Sequence, residues 1–170
     1  MASVAPSSRP SPGSPPALAV LVVDDDAANR LLAVRWLDRV GIAAVEAENG
    51  EDALRVLRDA PQTIGAVILD VVMPAMTGYD VLERIQEDAA LRDIPVVILT
   101  AHVQQESDVL QGLRSGAVDH LAKPFRGPIL AAKIQSLVER RSRQLLLEER
   151  LRAAEAQATT DFMTELGNRR

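Results

Sequence analysis

Five short apolar runs, separated by segments with helical periodicity, constrain the fold of this chain more than any other feature of its sequence. The apolar runs lie at residues 18–23, 42–45, 65–69, 95–99 and 117–122. The helical patterns lie at about 28–40, 50–60, 78–88 and 105–115, and a longer one begins at Pro128. Continuous apolar runs that alternate with amphipathic helices are typical of βαβ units, whose strands form a parallel sheet that helices cover on both faces.

This pattern predicts an α/β fold with a flavodoxin-like, doubly wound sheet of five parallel strands and an extended C-terminal helix. Because aromatic residues make up only 2% of the chain, the core must consist of Val, Leu, Ile and Ala. The absence of cysteine excludes disulfides and thiolate metal sites. No apolar run reaches the roughly 18 residues of a membrane span, and the N-terminus lacks the pattern of a signal peptide. We therefore expect a cytoplasmic protein with no membrane partner.

The composition changes along the chain and marks its segments. Residues 1–17 are dense in Pro and Ser and are predicted to be disordered, since such a segment cannot offset its ordering entropy. Residues 18–126 are predicted to form the α/β domain, and residues 18–125 contain eighteen acidic and nine basic side chains. So acidic a domain repels phosphate backbones, and we expect no nucleic-acid partner.

The residues that follow the predicted strands carry the chemistry of the sequence. The first strand leads into Asp24, Asp25 and Asp26, the third into Asp70, the fourth into Thr100 and the fifth into Lys123. The carboxyl ends of parallel strands meet at one edge of the sheet, where doubly wound domains bind their ligands. Several carboxylates at that edge need a counter-charge, and Mg²⁺, which prefers oxygen ligands, supplies it. Asp26 is expected only to cap the following helix.

Asp70 is the candidate nucleophile at this edge. A carboxylate can attack phosphorus to form an acyl phosphate, while the Thr100 hydroxyl and the Lys123 ammonium are suited to bind the phosphoryl oxygens. Two other uses of the fold are excluded. A flavin or nucleotide site needs a loop rich in Gly, Ser or Thr after the first strand, where this chain has aspartates. An aspartyl phosphatase of the haloacid dehalogenase type needs a second acid where Val72 stands.

Five stretches together resemble the receiver domain of two-component response regulators. They read LAVLVVDDDAANR, VEAENGEDAL, AVILDVVMPAMTGYDVL, IPVVILTA and AVDHLAKPF, and they cover residues 18–125 in the order and spacing of that family. The resemblance implies that a histidine kinase or a phosphotransfer protein phosphorylates Asp70, and that Thr100 and Lys123 bind the phosphoryl group. The peptide between Lys123 and Pro124 is usually cis in the family, which aims the lysine into the site.

The resemblance also implies how Mg²⁺ is bound. Asp25, Asp70 and the backbone carbonyl of Val72 would ligate the ion directly, and Asp24 would bind it through water.

His120 departs from the pattern of the family. Many receivers carry Tyr or Phe three residues before the lysine, and that ring moves inward when the threonine is drawn to the phosphate. Two interpretations of His120 stay open: a histidine tolerated at a surface strand, or a switch whose charge state makes signalling sensitive to pH. His102, two residues after Thr100, either tunes acyl-phosphate hydrolysis or is simply exposed.

The C-terminal quarter is predicted to be one long helix. Residues 127–158 contain strong helix formers with no Gly or Pro after Pro128, and a helix of that length must project beyond a small domain. A heptad stripe runs through Leu130, Leu137, Leu147, Leu151, Ala154 and Ala158, with Lys133, Arg140 and Gln144 interrupting it. We expect a coiled-coil stalk that forms a homodimer together with a face of the receiver. A single amphipathic connector is the alternative.

The last residues, 159–170, resemble the start of a GGDEF diguanylate cyclase domain. The matching positions are Thr160, Asp161, Thr164, Leu166, Asn168, Arg169 and Arg170, whereas Met163 and Glu165 depart. We interpret this segment as the truncated beginning of an output domain, so the fragment itself is not expected to be an enzyme. The favoured hypothesis is a receiver that controls a cyclase through its stalk. The alternatives are a phosphorylation-independent dimerisation scaffold and a receiver that controls a different output.

Overall fold

A computed structural model describes residues 17–101 and 116–167, with side chains as far as Gln157. The strands are β1 (Ala19–Val23), β2 (Ala44–Ala47), β3 (Ile64–Asp70), β4 (Val96–Thr100) and β5 (Asp119–Ala122). The helices are α1 (Ala27–Asp38), α2 (Gly50–Asp59), α3 (Gly78–Glu87) and α4 (Gly127–Gly167). All neighbouring strands are parallel, in the order β2-β1-β3-β4-β5. The predicted five-stranded, doubly wound sheet is confirmed.

Two apolar clusters lie on opposite faces of the sheet. Because successive side chains of a strand point to opposite faces, Leu21 and Leu69 pack in the cluster with α2 and α3. Val20 and Ile68 pack in the other cluster, with α1 and α4. Val, Leu, Ile and Ala make up most of both clusters, as the composition requires, with Met73 buried in the first and Phe125 packed against the second.

The second strand begins at Ala44, two residues later than the predicted run at 42–45. The end of α1 explains the difference. Gly41 adopts a φ of +73°, and the N–H groups of Gly41 and Ile42 donate to the carbonyls of Asp38 and Leu37. This is the hydrogen-bond pattern of a Schellman motif, so Ile42 closes the helix instead of opening the strand.

The fifth strand is shorter than the predicted run at 117–122. Ala117 is buried in the core, and the Val118 N–H donates to the Val96 carbonyl at 2.9 Å, but regular pairing begins only at Asp119. The predicted run was therefore too long because it included Ala117, which is buried in the core but precedes the regular strand pairing. The helix predicted at 105–115 lies outside the described residues.

Helix α4 has two parts with different surroundings. Leu130, Ile134 and Leu137 are buried against the sheet, and the ammonium of Lys133 pairs with the carboxylate of Asp119 on β5. Farther along, residues 151–157 are all exposed. The predicted heptad stripe is thus divided: its first leucines belong to the domain core, and only its later ones are available to another chain.

Helix α4 continues past its predicted end at residue 158, as far as Gly167. No Gly or Pro occurs between Pro128 and Gly167, so nothing in the chemistry of the sequence stops the helix earlier. Its 41 residues correspond to a length of about 60 Å at a rise of 1.5 Å per residue. No helix in the described ranges is long and apolar enough to cross a lipid bilayer.

The start of α4 is locked against α1 by a tryptophan. A Cβ atom at Gly127 would lie 2.0 Å from the indole of Trp36, so only glycine allows this close approach. The guanidinium carbon of Arg39 lies 4.5 Å from the centre of the same indole ring, which is within the range of a cation–π contact.

Candidate functional site

Three carboxylates meet at the carboxyl edge of the sheet. Asp24 follows β1, Asp70 ends β3, and oxygens of Asp24, Asp25 and Asp70 all lie within 4.8 Å of one another. Asp24 and Asp70 are buried, while Asp25 is exposed. Asp26 points away from this group, and its carboxylate accepts a hydrogen bond from the Ala28 N–H at 2.7 Å as the N-cap of α1, as the sequence predicted.

The Asp24 carboxylate is held by three hydrogen bonds. One oxygen accepts from the Asp26 N–H at 2.9 Å and from the Asn29 amide at 3.3 Å. The other accepts from the Lys123 ammonium at 2.7 Å. In the described part of the chain, no hydrogen bond reaches the Asp25 carboxylate. Unlike Asp24, Asp25 can therefore bind a cation from solvent without first breaking a hydrogen bond.

Lys123 bridges two of the acids. Its Nζ lies 2.7 Å from Asp24 Oδ2 and 2.7 Å from Asp70 Oδ1. The peptide between Lys123 and Pro124 is cis, as the resemblance implied. Burial alone would lower the pKa of Lys123, but the two carboxylates outweigh it and raise the pKa above its ordinary value. The lysine is therefore charged throughout the physiological range.

The pKa of Asp70 is raised above its ordinary value of 3.8. Burial of the carboxyl group is the main cause, and the negative charge of Asp24 adds to it. The hydrogen bond and charge of Lys123, with the Val71 N–H, act in the opposite direction. Ionised Asp70 is thus held in a site that disfavours its charge, which is the usual condition of a carboxylate kept for reaction rather than for stability.

The loop after Asp70 folds back on the strand because position 78 is glycine. The Gly78 N–H donates to the Val71 carbonyl at 2.9 Å. A Cβ at Gly78 would lie 2.2 Å from the carbonyl oxygen of Asp70, so a larger residue would displace the loop. Thr77 and Asp80 form a capping box that starts α3 at the same point. Within the described residues the Val72 carbonyl accepts no hydrogen bond, which leaves it available as a ligand.

The sequence prediction overlooked two features of this edge. Gly78 carried a signal, since a Thr-Gly-x-Asp stretch after a strand marks a helix start. Arg30 carried none, because an arginine in the first turns of an amphipathic helix is usually a surface residue, whereas here it is buried beneath the acidic loop.

Thr100 and His120 lie on the neighbouring strands. Thr100 is the last residue of β4 and is buried, and its carbonyl accepts from the Lys123 N–H at 2.7 Å. His120 is half-buried on β5, and its Nε2 is buried and has no hydrogen-bond partner among the described residues. Burial lowers the pKa of His120, against a smaller opposite effect of Asp119. His102 lies outside the described residues.

The arrangement of acids, threonine and lysine is matched by a known family. The profile described as "Response regulator receiver domain" matches residues 20–135. This chain belongs to the response regulator receiver family. The receiver domains of this family bind Mg²⁺ at an acidic pocket and interact with histidine kinases or phosphotransfer proteins. The oxygens of Asp24, Asp25 and Asp70 provide a donor set that fits such an ion.

Several relatives resemble this receiver closely. The "Probable transcriptional regulator ycf27" of Pyropia yezoensis is 37% identical over 121 residues, which cover 71% of this chain and 47% of that protein. The "Transcriptional regulatory protein AfsQ1" of Streptomyces coelicolor is 36% identical over 125 residues, or 74% of this chain and 53% of that protein. The chain therefore spans about half the length of the curated relatives it matches.

Solved structures agree with this assignment. The chemotaxis protein CheY4 of Vibrio cholerae superposes with a TM-score of 0.65 and 29% sequence identity, covering 71% of this chain and 99% of that one. The receiver domain of the Francisella response regulator 1452 gives a TM-score of 0.66 at 28% identity, covering 75% and 98%. The receiver fold is thus shared along nearly the whole of each solved chain.

Proposed function

We propose that this receiver is a phosphoacceptor module whose Asp70 is phosphorylated by a histidine kinase or a phosphotransfer protein. The observation that carries the proposal is the position of Lys123, which lies 2.7 Å from both Asp24 and Asp70 beside an exposed third acid. These groups suit the two species that phosphoryl transfer brings to the site. The carboxylates can bind Mg²⁺, and the lysine can bind the oxygens of the phosphoryl group.

The roles of the individual metal ligands come from the resemblance to the family. Asp25, Asp70 and the Val72 carbonyl would ligate Mg²⁺ directly, and Asp24 would bind it through water; the exposure of Asp25 and the absence of a hydrogen bond to its carboxylate from the described residues support this assignment. When bound, Mg²⁺ neutralises charge on the phosphoryl oxygens. We also propose that the protein is located in the cytoplasm, where such kinases act.

The transfer itself uses the carboxylate of Asp70. An oxygen of Asp70 forms a bond to phosphorus as the bond from phosphorus to the donor imidazole nitrogen breaks, and the electron pair stays on that nitrogen. The Lys123 ammonium then leaves the Asp70 oxygen that it holds and meets a phosphoryl oxygen, while the Thr100 hydroxyl donates to another. Movement of Thr100 toward the phosphate, with His120 in the place of an aromatic residue, is the proposed switch.

Incubation with a small phosphodonor such as acetyl phosphate and Mg²⁺, followed by intact-protein mass spectrometry, tests this proposal. We expect the mass to increase by one phosphoryl group in the wild type and to stay unchanged in Asp70→Asn. Beryllofluoride, which mimics the phosphoryl group, should bind to the wild type with the same dependence on Asp70. A wild-type chain that accepts neither would contradict the proposal and favour a phosphorylation-independent dimerisation scaffold.

Exposed leucines on α4 bear on the output domain that the receiver controls. Leu147 and Leu151 have exposed fractions of 59% and 63% on the projecting part of α4, and apolar residues at this spacing suit a parallel coiled coil. We infer that α4 is a dimeric stalk that connects the receiver to a C-terminal diguanylate cyclase, on the strength of the short resemblance at residues 159–170. A different output domain is the alternative, since the relatives named above are transcriptional regulators.

Two measurements separate these outputs from each other and from a monomer. Light scattering at increasing protein concentration should give a dimer for the wild type and a monomer for the Leu147→Asp, Leu151→Asp double variant. The Arg143→Gln, Arg150→Gln variant changes the net charge by the same amount and serves as the charge control, which should remain a dimer. The gene segment downstream of Arg170, expressed with the receiver, should make cyclic-di-GMP from GTP. A downstream segment with no such activity would favour the other output.

A further inference from the structure

Arg30 is a buried arginine that the proposed chemistry of phosphoryl transfer does not use. It lies on the first turn of α1, with only 7% of its surface exposed. Its guanidinium contacts the backbone of the loop that carries Asp24 and Asp25. A buried cation needs several partners to offset the loss of hydration, so each partner of Arg30 indicates what the side chain holds in place.

Two of these partners are backbone carbonyls of the acidic loop. Nη1 of Arg30 donates to the carbonyl of Asp24 at 2.7 Å and reaches the carbonyl of Asp25 at 3.3 Å. Because a peptide group is planar, fixing the direction of its carbonyl also fixes its N–H and the adjoining Cα atoms. The consecutive peptide groups that follow Asp24 and Asp25 are therefore both oriented by one nitrogen atom.

The other partners are carboxylates on the edge of the sheet. Nε of Arg30 lies 3.2 Å from a Glu46 oxygen, and Nη2 lies 3.4 Å from a Glu48 oxygen. Both glutamates are largely exposed, so their ion pairs are weakened by solvent. They orient the outer edge of the planar guanidinium and leave Nη1 directed at the loop.

We propose that Arg30 is a positioning residue for Mg²⁺, because it holds the acidic loop in the conformation that brings Asp24 and Asp25 to within ligand distance of Asp70. The inference rests on the proposed function, since it takes Mg²⁺ as the ion of the acidic site. It adds a determinant of Mg²⁺ affinity that acts through the backbone of the loop rather than through a ligand atom.

The sign of the effect distinguishes positioning from simple charge. A positive charge near a cation site opposes binding, so removal of the Arg30 charge alone would increase the affinity for Mg²⁺. Loss of the two carbonyl contacts frees the loop, which must then be ordered when the ion binds, and this lowers the affinity. The proposal therefore predicts weaker binding on removal of a repelling charge, which no purely electrostatic role can produce.

Isothermal titration with Mg²⁺ at fixed ionic strength provides the test. We expect Arg30→Met, which keeps the apolar stem, to raise the dissociation constant about tenfold. Arg30→Lys should fall between this variant and the wild type, because an ammonium can meet one carbonyl but lacks the planar fork that also holds the glutamates. Glu46→Gln with Glu48→Gln should change affinity less than threefold. Arg55→Met on α2, whose exposed guanidinium pairs with Asp52, is the matched control and should bind as the wild type does.

Amide hydrogen exchange of the metal-free protein gives a second readout. The Asp26 N–H donates to Asp24 at 2.9 Å, and it should exchange faster in Arg30→Met than in the wild type or Arg55→Met. If Arg30→Met proves unfolded by circular dichroism, the same two measurements on Arg30→Lys decide the question. Unchanged or tighter Mg²⁺ binding in a folded Arg30 variant would overturn the inference. A wild-type chain that binds no Mg²⁺ would instead overturn the proposed function of the site.

Discussion

Leu69 and Asp70 are consecutive residues of β3 and are almost equally buried, with exposed fractions of 0% and 5%. The same contrast occurs at the end of β1, where buried Val23 is followed by buried Asp24. Burial of an aliphatic side chain stabilises a fold by about 1.5–3 kcal/mol, whereas burial of a carboxylate costs free energy and, at Asp70, raises the pKa of the carboxyl group. Asp24 and Asp70 thus give up stability that the aliphatic residues before them provide, and the functional edge depends on the core below it.

The largest effect on stability should come from the aliphatic side of this comparison. Leu82 of α3 is fully buried in the same cluster as Leu69. We expect Leu82→Ala to lower the free energy of unfolding by about 3 kcal/mol through lost burial and a residual cavity. Urea unfolding followed by circular dichroism measures this, and the Mg²⁺ affinity should stay within twofold of the wild type. A loss below 1 kcal/mol would mean that the core does not carry the stability assigned to it.

Mg²⁺ should recover stability that the acidic edge gives up. An ion that binds only the folded state stabilises it by about 2.7 kcal/mol at a concentration 100 times its dissociation constant. Calorimetry with and without Mg²⁺ should show this gain in the wild type. Asp25→Asn should lose most of it, while Asp59→Asn, at the end of α2 and away from the site, should keep it. Equal gains in both variants would contradict the assignment of Asp25 as a ligand.

Asp70→Asn should stabilise the metal-free protein by about 1 kcal/mol, in the range found when a functional group is removed from its site. The folded state binds a proton at Asp70 more readily than the unfolded state does, because the pKa is raised from 3.8. The contribution of Asp70 to stability therefore increases as the pH falls through the folded-state pKa. Urea unfolding from neutral pH downward should show the gap between Asp70→Asn and the wild type becoming smaller. A gap that widens on acidification would show that the sign is wrong.

His120 should give the smallest effect, with the opposite dependence on pH. Burial lowers the pKa of His120 below 6.5, so the unfolded state takes up its proton first as the pH falls. The wild type should therefore lose stability between pH 7.5 and 5.5 relative to His120→Phe, whose side chain does not titrate. Paired urea titrations at the two pH values measure the difference. Parallel changes in the two proteins would assign the pH dependence to other groups.

Parallel topology explains why the sequence predicted so much of this edge. Once the apolar runs are interpreted as parallel strands, Asp24, Asp70 and Lys123 must meet at one end of the sheet. In the structure, the Nζ of Lys123 lies 2.7 Å from an oxygen of Asp24 and 2.7 Å from an oxygen of Asp70. The parallel, doubly wound arrangement follows from the alternation of apolar runs and helical patterns. The chemistry of the cluster then follows from the residue types.

Features that depend on side-chain packing were not predictable in the same way. Arg30 contacts the carbonyls of Asp24 and Asp25 only because the acidic loop folds over its guanidinium. Hydrophobic periodicity carries no information about that loop conformation. Similarly, an apolar stripe such as that of α4 does not reveal which part packs on its own domain. Leu137 is buried and Leu147 is exposed because only the first turns of α4 pack against the sheet.

The contact of Trp36 with Gly127 gives this protein a built-in optical probe. Trp36 is the only tryptophan of the sequence, and its indole lies where α1, the helix that follows the acidic loop, meets the first residue of α4. The emission of an indole depends on its local polarity and on nearby charges such as that of Arg39. Intrinsic fluorescence should thus report, without any label, whether an event at the acidic loop reaches the first turn of α4.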